Sequence, residues 1–376
     1  MSTVPTLAVV GARIRTLDPS RPFASAVAMR DGVIVAVGDD AAIRAECDGS
    51  TEIVNGSRLA IVPGLTDSHI HPIWGVMSTR GADLTGAHSI DDLRAALAEE
   101  RRRVGPNEWV TGWGALYEVF KQTGIRSDLF EDVLGGQPCY VGFFDGHTGV
   151  ASKAALAAAG VTGPVEFGET SAVVCDADGV PTGELQENGA MNLVKNVIPQ
   201  PSADAFYRMV AEQFRSFNAV GLTGLHGMDG SPDDFDFLRQ MEANGDLTCR
   251  LVLPFWQKPH DAFDEMRAQL PRRDERGRHW RAGVAKFFLD GVIDSGTGWL
   301  LEPDTKGDCT EPFWPDPNRY SDAVALFAGA GFQCATHCVG DAAVRWALDS
   351  YKAAGAAPGI RHRIEHIEQL DDADLP

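Results

Sequence analysis

Apolar positions fall into two regimes along the chain. Up to residue 62 they come as short β-rich runs, Leu7-Ala8-Val9-Val10, Ala26-Val27-Ala28-Met29 and Val33-Ile34-Val35-Ala36-Val37. Asp31-Gly32 between the last two is a hairpin signal, so this stretch predicts a small β-sheet unit. From about residue 205 the pattern becomes a regular alternation of helix and strand. Helices over 203–217, 233–243, 261–270, 321–329 and 341–353 lead into strands over 219–225, 249–255, 283–289, 332–337 and 360–366. Such alternation implies parallel strands with right-handed crossovers. With a first strand starting at Leu65, about six strands of an α/β barrel are present, and 72–204 is a long insertion after the first.

The insertion has its own signals. A charged amphipathic helix spans Ile90 to Val104, begins at Ser89 and ends in Arg101-Arg102-Arg103, a run read as a solvated face that suits the helix dipole. Strands follow over Trp109–Trp113 and Cys139–Phe144, then a helix over Ala151–Ala159 closed by Gly160, then a hairpin-like stretch through Asp178-Gly179. The pair Gly112-x-Gly114 is too short for a dinucleotide fingerprint, and no βαβ unit starts there.

The 376 residues are 44% hydrophobic and 23% charged, an ordinary globular composition. A formal net charge of -20 repels phosphate backbones and anionic lipid, so no nucleic acid and no membrane are expected as partners. Seven scattered cysteines do not form a disulfide framework and suit a reducing compartment. Met1 to Val10 lacks the basic region of a signal peptide and no segment has the length of a membrane span, so a cytoplasmic protein is the expectation.

Candidate chemistry collects at the strand ends, where a β/α barrel builds its active site. His69 and His71, in Asp67-Ser68-His69-Ile70-His71-Pro72, are two apart and share a face, as half of a divalent-metal site would require. The plainer alternative is two hydrogen-bonded histidines near a turn. Lys286 interrupts Val284-Ala285-Lys286-Phe287-Phe288-Leu289, and burial favours its neutral amine. A neutral amine can take up carbon dioxide to give a carbamate able to bridge two cations; otherwise Lys286 snorkels or pairs with Asp290. His337 ends one strand just before Asp341, placed to cap the next helix, and alternation sets Cys334, Thr336 and Cys338 on the opposite face. His366 ends another, with His362 on the same face. Five candidate ligands on one predicted barrel favour metal.

The stretches VPGLTDSHIHP (62–72), KFFLDGVIDSGTGWLL (286–301), THCVGDAAV (336–344) and RHRIEHIEQL (361–370), with DGHTGVASKAAL (145–156), resemble the amidohydrolase superfamily. They are closest to its amidohydrolase-3 (YtcJ-like) branch, which includes N-substituted formamide deformylases. The resemblance implies a (β/α)8-type TIM barrel over 63–376, incomplete, with residues 1–62 as the N-terminal part of a composite β-sandwich. It implies one metal on His69 and His71 and a second on His337 and His366, with Lys286 bridging as a carbamate. Zinc is the default for both, with iron or manganese suiting the same ligands. It further implies a hydrolase that cleaves a non-peptide C–N bond of a small-molecule amide, formamide or cyclic amide by a binuclear-metal-activated hydroxide, with Lys286 and His337 in the catalytic centre. His147, Trp113 and Glu187 match positions that border the substrate pocket.

Two departures stand out. Family members continue through two more barrel strands, the last bearing an Asp that handles the proton. Asp371, Asp372 and Asp374 lie in a helix start and do not replace it. The expectation is therefore a fragment of a longer enzyme, the alternative being a non-catalytic remnant that binds metal or ligand without turnover. Open strand edges would favour a homo-oligomer. Ser152 stands where relatives carry Asn.

Overall fold

A computed structural model describes residues 4–168, 170–231 and 233–375. The chain divides into two compact units, one running up to Thr66 with Gly221–Thr223, the other comprising Asp67–Val220 and everything from Gly224.

The first unit holds β1 (Leu7–Val10), β2 (Arg13–Arg15), β3 (Phe23–Ala24), β4 (Ala26–Arg30), β5 (Val33–Gly38), β6 (Glu52–Asn55) and β7 (Ala60–Ile61). They form two sheets, β5-β4-β1-β6 and β3-β2-β7. Asp31 and Gly32 both take positive φ (53° and 77°), the twist that a two-residue hairpin between β4 and β5 requires. Ile14 and Ile61 of one sheet and Val9, Val27 and Val37 of the other share one apolar cluster.

The main sheet starts with β8 (Leu65–Ile70) and is then interrupted by β9 (Ala82–Asp83), β10 (Val110–Ala115), β11 (Cys139–Phe143), β12 (Thr148–Ala151), β13 (Ala172–Cys175) and β14 (Pro181–Gln186). It resumes with β15 (Leu222–Gly227), β16 (Arg250–Trp256), β17 (Trp280–Phe288), β18 (Gln333–Cys338) and β19 (Arg363–His366). The six strands lie in sequence order, β8-β15-β16-β17-β18-β19, and the pairs from β15 to β19 are parallel. Period two divides β17 cleanly. Phe287 points out to rings of Tyr320 and Phe327 on the helix Pro317–Gly329, at 5.4 and 6.1 Å. Lys286 and Phe288 therefore face the other way, into the space the sheet curls around. Curling brings the last strand to the first: the Arg363 guanidinium donates to the Ser68 carbonyl at 2.7 Å.

The insertion contains a second six-stranded sheet, β13-β14-β12-β11-β10-β9, parallel from β9 to β11 and antiparallel beyond. β10, β11 and the β13–β14 hairpin match the expected strands, whereas β9, β12 and the assembly into one sheet were not foreseen. The helix Ile90–Val104 covers it with Leu93 and Leu97, and Ser89 Oγ caps it by accepting from Asp92 N at 3.1 Å. Arg102 and Arg103 of the arginine run are exposed, as expected of a solvated face, and Arg101 is half-buried. Arg101 donates to Gln137, and Arg103 clasps the buried Glu100 at 2.6 Å. The following helix spans Lys153–Ala158, because Ala151 belongs to β12 and Ser152 is the cap. No helix among the described residues is long and apolar enough to cross a membrane. Among the described residues no disulfide joins any of the seven cysteines.

Candidate metal centre

His69 and His71 share a face, with ring centroids 5.6 Å apart. Each ring is tethered through Nδ1 to a carboxylate, His69 to Glu365 Oε2 and His71 to Asp229 Oδ1, both at 2.8 Å. An ionised carboxylate only accepts, so the proton sits on Nδ1 and each Nε2 is left as a lone-pair donor. Asp229 is wholly buried and its second oxygen accepts from Ile73 N and Trp74 N, at 2.6 and 3.0 Å. Histidines that ligate metals are usually oriented in this way.

Lys286 has no exposed surface, and its Nζ has no hydrogen-bond partner, lying 5.0 Å from the centre of the Phe288 ring. Burial lowers its pKa to about 8. The alternative of a pair with Asp290 is not what forms. Asp290 is fixed instead by backbone N–H groups of Trp299, Val339 and Gly340 at 3.0, 2.9 and 2.7 Å, and burial pushes its carboxyl up to about 7.

His337 stacks on Phe288 at 4.3 Å, and its Nε2 donates to the Gly291 carbonyl at 3.0 Å, leaving Nδ1 free. Burial holds it well below the usual imidazole pKa, hence neutral. Thr336 faces outward to the hydroxyls of Tyr320 and Tyr351, and Cys334 Sγ approaches the Val324 carbonyl, so no Cys/His cluster arises. Asp341 is not the cap of the next helix. Gly340 occupies the capping position, while Asp341 accepts from Leu301 N at 2.8 Å.

His366 reaches the centre by an unexpected route. On β19 the inward residue is Glu365, which pairs in register with His337. Alternation alone would turn His366 outward with His362, whose ring serves Cys334 N and the Gly355 carbonyl. Left-handed backbone at His366 (φ 76°) and Ile367 (φ 54°) swings the ring back, to 4.8 Å from His69 and 4.4 Å from His337. Burial, then the neighbouring His69, lowers its pKa to about 4.

The insertion contributes His147, 5.4 Å from the His337 ring, with Nδ1 bonded to Glu187 Oε2 at 2.9 Å. Glu187 is buried, takes φ 63° at the end of β14, and accepts a short hydrogen bond from Thr297. Trp113 lies on β10, its carbonyl accepting from Leu84 N, and no ring contact or hydrogen bond joins it to these histidines among the described residues. Glu365, Asp229, Phe288 and Thr297 were not foreseen. Glu365 had a signal in its place beside His366, whereas Asp229 had none beyond following the β15 end.

The donor set fits divalent cations. It offers imidazoles, two of them tethered by carboxylates, and a buried amine with no partner of its own close to His337 and His366. Among the described residues no three His, Cys, Asp or Glu side chains are already drawn together around one point.

A family model described as the amidohydrolase family matches residues 54–376, and the chain belongs to that family, in its amidohydrolase-3 branch. It is similar to the putative amidohydrolase YtcJ of Bacillus subtilis (26% identity, 96% of this chain, 69% of the relative). It is also similar to the N-substituted formamide deformylase of Arthrobacter pascens (24%, 94% of this chain, 67% of the relative). The fold matches that of an uncharacterised metal-dependent hydrolase from Pyrococcus horikoshii, with TM-score 0.70 and 19% identity over 98% of this chain and 71% of the other. The chain spans about two thirds of the length of the curated relatives it matches, as little as 64% for one.

Proposed function

We propose that this chain carries the metal-binding part of a hydrolase that cleaves the C–N bond of a small amide, formamide or cyclic amide. The observation that carries the reading is Lys286: a wholly buried amine without a partner, on the inward face of β17 and near enough to His337 and His366 for its charge to add to burial in lowering the pKa of both. Holding an ammonium there is costly, whereas a carbamate on the same nitrogen would be an anionic ligand between two cations. His69 and His71 would hold one divalent cation, His337 and His366 the other, zinc being the default for this donor set. Such ions, when bound, lower the pKa of water and polarise a substrate carbonyl.

The chain's own residues supply position. Asp229 and Glu365 fix the tautomers of His71 and His69. Phe288 and Gly291 fix the plane of His337. Glu187 orients His147 beside the centre, where its free Nε2 can meet a substrate heteroatom. The deformylase relative supports an N-substituted formamide as the first substrate to try.

The second reading, a protein that binds metal or ligand without turnover, is favoured by the open arrangement, with no three ligating groups gathered at one point among the described residues. Elemental analysis of the zinc-loaded chain, together with hydrolysis of N-substituted formamides, separates the two. About two metals per chain, fewer in His337→Ala, with amine release, supports the hydrolase. Metal without amine release supports the second reading, and a full metal complement in both Lys286→Ala and His337→Ala would sink the site itself.

A further inference from the structure

Three aromatic rings bridge His71 to His337. His71 stacks on Trp74, Trp74 on Trp256, Trp256 on Phe288 and Phe288 on His337, with centroids 6.5, 4.5, 5.2 and 4.3 Å apart and interplanar angles of 17°, 20°, 21° and 17°. The backbone holds this row against the centre. Trp256 ends β16 and pairs in register with Lys286 across the parallel sheet, so both side chains point to the same inward face. Trp74 stands at the start of the helix Gly75–Ser78, and its N–H donates to Asp229, the carboxylate that tethers His71.

The row is not core. Phe255 and Phe287, which precede Trp256 and Phe288 on the opposite face, are buried, whereas Trp74, Trp256 and Phe288 all keep part of their surface open. The His71 side chain is 39% exposed and that of His337 3%, so the row runs from a buried end of the centre to an open one. Stacking decides which part of each ring is left over. Faces lie against neighbouring faces, and the remaining surface is ring edge, which carries the positive side of the ring quadrupole. An ammonium needs a ring face and gains nothing from edges. An aliphatic group gains only the area it covers. A substrate ring laid flat on the row meets those edges with its electron-rich face, the edge-to-face arrangement that aromatic pairs prefer.

We propose that Trp74 and Trp256 are specificity-determining residues of the centre, forming with Phe288 a wall that selects a substrate whose amine side carries an aryl ring. The proposal rests on the hydrolase reading for the bond that is cut, but the preference of the wall is measured without turnover. The zinc-loaded full chain is titrated by calorimetry with 2-phenylethylamine and with 2-cyclohexylethylamine, which share charge and length, and their N-formyl derivatives are assayed in parallel. The aryl amine is expected to bind at least about fivefold more tightly, although its ring is the less hydrophobic of the two, a margin of about 1 kcal/mol. Trp74→Leu and Trp256→Leu should each cut that margin and together erase it, and Trp256→Phe should keep most of it. Zinc content measured in each variant reports whether the centre is still assembled. If Trp256→Leu does not fold, Trp74→Leu decides alone, at a partly exposed position outside the sheet. Equal or tighter binding of the cyclohexyl amine, or a margin that survives loss of the indoles, overturns the proposal. An aryl preference without hydrolysis of either formamide upholds the wall and counts against the hydrolase. Hydrolysis of both formamides at equal kcat/KM, with no margin in binding, does the reverse.

Discussion

Lys286 concentrates the chemistry of this chain in one side chain. Its neighbours on β17 are packed against helices or rings, its Nζ is dry, and nothing accepts from it. In the metal-free protein that amine can only destabilise, since desolvation is not offset by any bond. Lys286→Met fills nearly the same volume without the polar atom. It is expected to raise the unfolding free energy of the metal-free chain by about 1–3 kcal/mol in urea titrations while abolishing zinc uptake. A variant that is less stable without metal would mean that the amine has a stabilising partner after all. Lys286 was legible in the sequence because a charge inside an apolar strand is conspicuous, and the same holds for histidines at strand ends. What could not be read is which carboxylate meets which ring. Glu365 and His69 are 296 positions apart, and their contact depends on how far the sheet curls. The backbone reversal at His366 was hidden too, since period two assigns that residue to the wrong face.

At the level of single elements, local chemistry was legible where caps and periodicity agree. The helix Ile90–Val104 starts and stops where Ser89 and the final arginines indicate. It failed by a residue at Asp341, which lies one position past the cap, Gly340, and accepts from Leu301 N and Ala342 N. Ser152 shows the energetic side. Its buried hydroxyl accepts from Cys139 N at 2.8 Å and from Ala155 N at 3.2 Å, joining β11 to the helix it caps. Ser152→Ala leaves the Cys139 amide unsatisfied and should cost about 1–3 kcal/mol in chemical denaturation. The helix Glu187–Lys195 carries a pH-dependent counterpart. Burial lowers the Lys195 ammonium to about 8 as it sits 5.7 Å from the Tyr140 ring centre. Below that pH both folded and unfolded chains hold the proton, and the folded state bears the full desolvation cost. Between about 8 and the ordinary lysine value only the unfolded chain keeps it, so stability rises with pH across that window. Lys195→Met should therefore be more stable than the parent by roughly 1–3 kcal/mol at pH 7, with the gap narrowing toward pH 10. A gap that is constant from pH 7 to 10 would refute this assignment.

For the molecule as a whole, the order of the main sheet followed from alternation alone, since each helix returns the chain to the next parallel position. The second sheet did not. Its strands β9 to β14 combine parallel and antiparallel neighbours, and β13-β14-β12 order cannot be inferred from strand content. That sheet matters to function because it carries His147 and Glu187 toward residues of β18 and the loop after β17. The centre thus draws on β8, β17, β18, β19 and the insertion, elements separated by hundreds of residues, and any ion it holds must tie them together. An ion that binds only the folded chain adds RT ln(1 + [L]/Kd) to its stability, about 2.7 kcal/mol at a free concentration of 100 Kd. For a chain of this size that corresponds to a rise in Tm of several degrees. Thermal unfolding with zinc against excess chelator should show such a rise in the parent chain. His337→Ala and Lys286→Met should show little of it, and Trp113→Ala all of it, because no hydrogen bond or ring contact among the described residues joins Trp113 to the proposed ligands. An equal zinc-dependent rise in all four proteins would place the metal elsewhere and dissolve the link between this fold and its proposed chemistry.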